Sequence, residues 1–287
     1  MRRASWLLIL VSLLIALNAC GASQAAIPAA TSSTSANNAA ATTAAPAGQT
    51  TELNVFAAAS LTDAFNEIGK NFEAGNPGTK VIFNFAGSQQ LSQQIGQGAP
   101  ADVFASANKK QMDVVIQSGQ VISGTQRTFV RNRLVVIYPR DNPAKLNTLK
   151  DLAKPDVKLV LAAKDVPVGG YALDFLARAS KLPDYTEAYS PTVLANVKSY
   201  EENVKAVLSK IALGEADAGI VYASDIALDS ADKVGRLDIP DVLNTIAAYP
   251  IATIKDSQHA DMAKKFVEYV LSPAAQQILV KYGFIAV

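Results

Sequence analysis

From Leu53 onward the chain alternates short apolar runs with stretches of helical period. Runs with strand character cover 53–58, 80–85, 102–105, 134–138, 158–163, 194–199, 217–222 and 249–254. Between them the apolar spacing changes to three or four, which predicts helices over 61–74, 88–97, 108–118, 171–181, 202–213, 258–271 and 273–282. In the first of these, Leu61, Phe65, Ile68 and Phe72 fall on one face. Gly119 and Gly214 read as helix stops, and Ser272 before Pro273 as a helix start. Regular alternation of this kind predicts an α/β fold with parallel-rich sheets flanked by helices.

Two junctions in this pattern carry chemistry. The apolar run Val55 to Ala59 stops at Ser60 and a helical period begins at once. Ser60 therefore reads as a helix N-cap, with Asp63 completing a capping box. A strand that runs straight into a helix leaves unpaired backbone N–H groups at a sheet edge, a ready place for an anion. Small Ala57, Ala58 and Ala59 let a ligand approach the backbone. A plain helix cap is the competing reading of Ser60. The arrangement recurs at Phe83-Asn84-Phe85-Ala86-Gly87-Ser88, where Ser88 opens a helix carrying Leu91 and Ile95. Two such turns can present two hydroxyls and several N–H groups to one point.

The start of the chain sets the compartment. Arg2 and Arg3 precede an apolar stretch from Trp6 to Leu17, followed by Leu17-Asn18-Ala19-Cys20. Residues 1–19 read as a secretory signal, too short and wrongly flanked for a membrane span. Leu-x-Ala-Cys resembles the bacterial lipobox, in which the cysteine is lipidated and becomes the new N-terminus; an ordinary signal peptide with an incidental cysteine is the alternative. Cys20 is the one cysteine of the chain, which excludes a disulfide framework. Residues 21–50 are small and polar, uncharged, with no large apolar side chain beyond Ile27. Residues 20–50 thus read as a lipidated cysteine and a flexible tether. The globular body is expected outside the cytoplasm, anchored by lipid to the outer face of the cell membrane.

Charge and motif content exclude several classes. The chain holds 26 Lys and Arg against 25 Asp and Glu, and without Arg2 and Arg3 the basic count is 24. That balance offers no basic patch for nucleic acid. The single histidine, His259, lies in a polar run and reads as a solvated helix-start residue. Neither Ser60 nor Ser88 sits in a Gly-x-Ser-x-Gly elbow, which weighs against an α/β serine hydrolase. No zinc-ligand spacing or phosphate-cradling glycine loop is present. Residues 51–133 read as one unit and 134–248 as a second, with 249–287 returning to the first.

The order and spacing of four segments carry a resemblance over essentially all of 52–287. They are Val55-Phe56-Ala57-Ala58-Ala59-Ser60-Leu61, Gly98-Ala99-Pro100-Ala101-Asp102-Val103-Phe104, Gly219-Ile220-Val221-Tyr222-Ala223-Ser224-Asp225 and Lys281-Tyr282-Gly283-Phe284. In these the chain resembles the molybdate-binding subunits of ABC importers, members of the type 2 periplasmic-binding-protein superfamily. The resemblance implies two α/β lobes joined by a hinge, with the oxyanion in the cleft between them. It also implies a ligand set of two serines, two backbone amides and a tyrosine. Residue by residue, these fall on Ser60, Ser88, the amides of Val168 and Val204, and Tyr222. Gly87 and Gln89 depart from the serines common in relatives, and Val168 from the usual alanine. A strand-end core tyrosine is the competing reading of Tyr222.

Physical chemistry points the same way. Molybdate is a dianion with four acceptor oxygens and no proton to give, so a site built only of donors suits it. None of the five positions carries a charged side chain. The expected function is therefore binding of molybdate, and of tungstate, as cargo for an ABC permease and its ATPase, by a monomer that needs no cofactor and is not an enzyme. Sulfate, of the same charge and shape, is the alternative ligand.

Overall fold

The computed structural model describes residues 50–226 and 228–287. The signal segment, Cys20 and the tether lie outside the described residues. Strand β1 (Thr51–Ala58) runs into a 3-10 turn (Ala59–Leu61) and then helix α1 (Thr62–Gly75). Next come β2 (Thr79–Ala86), α2 (Ser88–Gly96), β3 (Val103–Ala105), α3 (Lys109–Gln117) and β4 (Arg127–Asn132). After Arg133 the chain enters β5 (Leu134–Pro139), then β6 (Leu159–Ala162), α4 (Pro167–Ala179) and α5 (Tyr189–Ala195). β7 (Val197–Glu201), α6 (Val204–Ala212), β8 (Ala218–Tyr222) and β9 (Val234–Asp238) follow. β10 (Ala247–Thr253), α7 (Ala260–Val270) and α8 (Pro273–Lys281) complete the body.

These strands form two five-stranded sheets, ordered β2-β1-β3-β10-β4 and β7-β6-β8-β5-β9. Each sheet has its own helices, so the two-lobed α/β expectation is met. The sheets are mixed rather than parallel-rich. β1 pairs in parallel with β2 and β3, and β6 with β7 and β8. β10 runs antiparallel to β3 and β4, and β5 antiparallel to β8 and β9. The antiparallel strands are those through which the chain changes sheets. A strand that arrives directly from the other sheet has no crossover helix to reverse it, so it enters its sheet pointing the other way. β4 passes into β5 through the single residue Arg133, and β10 returns after β9, with Ala247 opposite Asn132.

The predicted face of α1 is buried: Leu61, Phe65, Ile68 and Phe72 are almost fully enclosed. Phe65 is the hub of an aromatic cluster, with ring centroids 5.8 Å from Phe129, 6.0 Å from Phe83 and 6.2 Å from Phe266. Truncating such a ring costs on the order of 3–5 kcal/mol. This cluster ties β2, β4 and α7 to α1 and so fixes where the turn carrying Ser60 emerges from β1.

Four local expectations are corrected. The residues 194–199 are not one strand: α5 runs to Ala195 and β7 begins at Val197. α5 is short and holds Pro191, which hid its period. β4 and β9 are strands that the apolar pattern did not mark, because charged residues interrupt both. α4 starts at Pro167 rather than 171, with the proline in its first turn. Finally, Ser60 is not an N-cap. The N-cap of α1 is Leu61, without a side-chain cap, because the chain first tightens into the 3-10 turn.

Candidate functional site

Five chain junctions converge on one small cavity. From the first sheet come the β1 turn with Ser60 and the β2–α2 junction with Ser88; from the second come the starts of α4 and α6 and the end of β8. Ser60, Ser88, Val168, Val204 and Tyr222 all line it, and no lining residue is charged. The cavity is small, about 10 Å³ in volume. A space that tight suits a compact ion and no larger solute. A wider groove beside it, lined by Lys109, Lys110, Lys164, Asp165 and Asp174, shares only Val166 and Pro167 with it.

Each donor has a structural reason for its position. Val168 and Val204 stand in the first turns of α4 and α6, where backbone N–H groups have no acceptor within the helix. The Asn203 side chain accepts the Ala206 N–H at 3.0 Å and so fixes the start of α6. α4 begins hard against the end of β6: a Cβ on Gly169 would fall 2.1 Å from the Ala163 carbonyl oxygen. A glycine there lets the first turn of α4, with the Val168 amide, reach the cavity.

The hydroxyls are oriented by neighbours. Ser88 Oγ, 1 % exposed, accepts the Ala107 N–H at 3.0 Å, which leaves its proton for the cavity. Ser60 Oγ lies 2.9 Å from the Tyr249 hydroxyl. Asn132 Nδ2 donates to Ser224 Oγ at 2.8 Å and to the Tyr249 oxygen at 3.4 Å, while the Asn132 carbonyl accepts the Arg133 N–H. An amide NH₂ can only donate, so Tyr249 accepts from Asn132, and either hydroxyl can be the donor in the Ser60–Tyr249 pair. The Tyr222 hydroxyl is fully enclosed beside that of Tyr249 and completes no well-formed hydrogen bond. Its burial, with Tyr249, Tyr171 and Asp225 nearby, pushes its ionisation far up, so it stays a neutral donor.

Behind Tyr222 sits a buried carboxylate. Asp225 Oδ2 accepts the Tyr222 N–H at 3.0 Å and Oδ1 lies 3.9 Å from Lys205 Nζ. Burial raises its pKa to about 6; Lys205 and the Tyr222 N–H act against that rise, and Asp63 adds to it. Asp225 does not line the cavity.

Tyr249, Asn132, Ala107 and Asp225 were not singled out from the sequence as site residues. Tyr249 lies 189 residues from Ser60, and no local pattern marks such a contact. His259 stands at the N-cap position of α7, its Nδ1 3.5 Å from Asp102. Ser257 Oγ donates to Asp102 rather than to the imidazole, and no hydrolase nucleophile–base pair forms there. Among the described residues, no group of three or more His, Cys, Asp or Glu could hold a metal ion.

Residues 53–285 match the family model described as bacterial extracellular solute-binding protein. The chain belongs to this family. Its members are extracytoplasmic solute-binding proteins, not enzymes, and what they bind is cargo rather than a cofactor. Among relatives, the molybdate-binding protein ModA of Mycobacterium tuberculosis is 39% identical over 242 residues, covering 83% of this chain and 87% of that one. The periplasmic molybdate-binding protein of Azotobacter vinelandii superposes with a TM-score of 0.71 at 20% identity, over 82% of this chain and 99% of that one. The sulfate-binding protein SubI of Mycobacterium tuberculosis gives 0.73 at 20% identity, over 83% and 87%. At those identities the two structures speak for the fold alone.

Proposed function

We propose that this solute-binding protein takes up molybdate, and tungstate with it, and delivers it to an ABC permease. The observation that carries the reading is the polarity of the cavity. Ser88 Oγ is already engaged by the Ala107 N–H, so it offers its proton inward, and Ser60 supplies a second hydroxyl. The amides of Val168 and Val204 and the enclosed Tyr222 hydroxyl complete a set of five donors with no facing carboxylate. A fully deprotonated tetrahedral dianion satisfies such a set; hydrogen phosphate brings a proton that finds no acceptor. The two helix starts add favourable dipole ends without a cation. The relation to ModA chooses molybdate among the dianions.

The same reading assigns Cys20 as the lipidated residue and 20–50 as the tether of a monomeric receptor at the outer membrane face. The lobes are 51–133 with 249–287, and 134–248. Titration calorimetry of residues 51–287 with molybdate, tungstate, sulfate and phosphate tests the ligand. One molybdate or tungstate per chain with phosphate rejected is the expected result. Sulfate bound as tightly as molybdate would replace the proposed cargo.

A further inference from the structure

Gly87 ends the strand-to-helix junction before Ser88 and is buried against the loop between β7 and α6. A Cβ placed on it would fall 2.6 Å from the Glu202 carbonyl oxygen and 2.4 Å from the Gln89 side chain. The next two residues reach the same partner. Gln89 Nε2 donates to the Glu202 carbonyl at 2.9 Å, and Gln90 Nε2 to Glu202 Oε2 at 3.1 Å. Gln90 Oε1 also accepts the Gly87 N–H at 3.1 Å, which holds the glutamine in place. Further along, Lys205 Nζ on α6 meets Asp63 Oδ2 on α1 at 2.7 Å. The Gln89–Glu202, Gln90–Glu202 and Lys205–Asp63 contacts join elements of the two sheets, and none uses a group assigned to the ligand.

We propose that Gly87, Gln89, Gln90 and Glu202 form a clasp across the cleft that sets how long a bound oxyanion is held. Gly87 is the position that lets the two faces meet. The inference rests on the proposed oxyanion site. Its logic is thermodynamic: contacts made only when the cleft is shut add to the stability of the shut state, and a ligand trapped there leaves only when they break. The clasp residues flank the donors: Ser88 lies between Gly87 and Gln89, and Val204 two residues beyond Glu202. Closing the clasp therefore brings a first-lobe hydroxyl and a second-lobe amide to the same ion.

The backbone of Gly87 makes the test clean. Its φ of −60° and ψ of 136° are open to any residue, so an alanine meets no backbone strain. The flexible end of Gln89 can turn aside, so the cost of Gly87→Ala is the methyl group against the Glu202 carbonyl of the facing lobe.

The full chain is followed by stopped-flow and thermal melting with molybdate as the probe. Gly87→Ala is expected to raise the molybdate dissociation rate tenfold or more, with an association rate within twofold of wild type and an unchanged ligand-free Tm. Gln89→Ala and Gln90→Ala should each raise it two- to fivefold. A Gly87→Ala chain with the wild-type dissociation rate overturns the clasp. A second readout needs no ligand: carbodiimide couples the Lys205 amine to the Asp63 carboxylate when the lobes meet. The yield, read by mass spectrometry, should drop in Gly87→Ala, and an equal yield also overturns the proposal. A wild-type chain that binds no molybdate defeats the ligand assignment, and the coupling yield still decides the clasp.

Discussion

The Tyr249 hydroxyl stands 2.9 Å from Ser60 Oγ and takes a hydrogen bond from Asn132, so a buried relay holds the serine hydroxyl in place. The relay begins on β4 and passes through β10, the two strands by which the chain crosses between sheets. Ser224, just past Tyr222, is tied to the same Asn132 amide. The position of the Ser60 hydroxyl is thereby coupled to the crossing strands.

Tyr249→Phe should therefore change selectivity as well as affinity. With Tyr249 taken as the donor to Ser60, loss of the tyrosine proton frees Ser60 to turn and to accept. Molybdate binding is expected to weaken roughly three- to tenfold, the equivalent of one ordinary hydrogen bond. Hydrogen phosphate should lose less, or gain, because Ser60 can now accept its proton. Calorimetry with both anions at pH 7 gives the ratio; an unchanged ratio would refute the relay.

The two serines should separate in their side effects. Each alanine variant removes a donor to a desolvated anion and should weaken binding about tenfold or more. Ser88→Ala also strands the Ala107 N–H, which is buried and bonded to Ser88 Oγ. That orphan costs about 1–3 kcal/mol of folding stability. Ser60→Ala leaves only a tyrosine hydroxyl to find another partner. Urea unfolding of the ligand-free proteins should show Ser88→Ala the less stable of the pair.

Ser60 and Ser88 were legible from local pattern, each a serine where a strand runs into a helix, whereas Val168, Val204 and Tyr222 came only through the family resemblance, since no local signal marks their part in the cavity. Ser60 was placed correctly at its turn but with the wrong local role. The capping-box pattern with Asp63 is present in the letters, yet Asp63 pairs with Lys205 and Ser60 with Tyr249. Tertiary contacts outbid the local signal. The same holds for the strands. The parallel pairs follow from strand–helix alternation, whereas β4 and β9, broken by charge, take their places from partners far along the chain. Relay and clasp alike join residues more than a hundred positions apart, beyond the reach of any periodicity.

Asp225 makes stability depend on pH. Its pKa is raised to about 6 from the ordinary 3.8 by burial. As pH falls through 6 toward 4, the folded chain takes up a proton that the unfolded chain does not, so the folded state gains. Above pH 6 the cost of the buried charge is fully present, on the order of 3 kcal/mol. Asp225→Asn keeps an acceptor for the Tyr222 N–H and removes the titration. Its stability relative to wild type should be highest at pH 7 and decline toward pH 4.5. A difference that stays flat across that range would refute the assignment.

The anchor is tested by fractionation. Cys20→Ala should release the chain from the membrane fraction while leaving molybdate affinity unaltered, since the proposed donors all lie at Ser60 or beyond. A variant that still partitions with the membrane would dismiss Cys20 as the lipidated residue.

Tyr222→Phe should trade stability against function. In the ligand-free chain its hydroxyl is enclosed with no well-formed partner. Burying a hydroxyl in that state costs about 1–3 kcal/mol, so removing it should leave the free protein as stable as wild type or more so. The same hydroxyl is enclosed at the cavity and is free to donate to a bound anion. A hydrogen bond to a charged group is worth about 1.5–3 kcal/mol, which corresponds to roughly ten- to a hundredfold in affinity. The free phenylalanine variant should thus melt no lower than wild type, while its gain in Tm on adding molybdate shrinks markedly. If Tyr222 were only a core residue, loss of the hydroxyl would leave that gain intact. Melting curves of both chains, with and without molybdate, decide between the two.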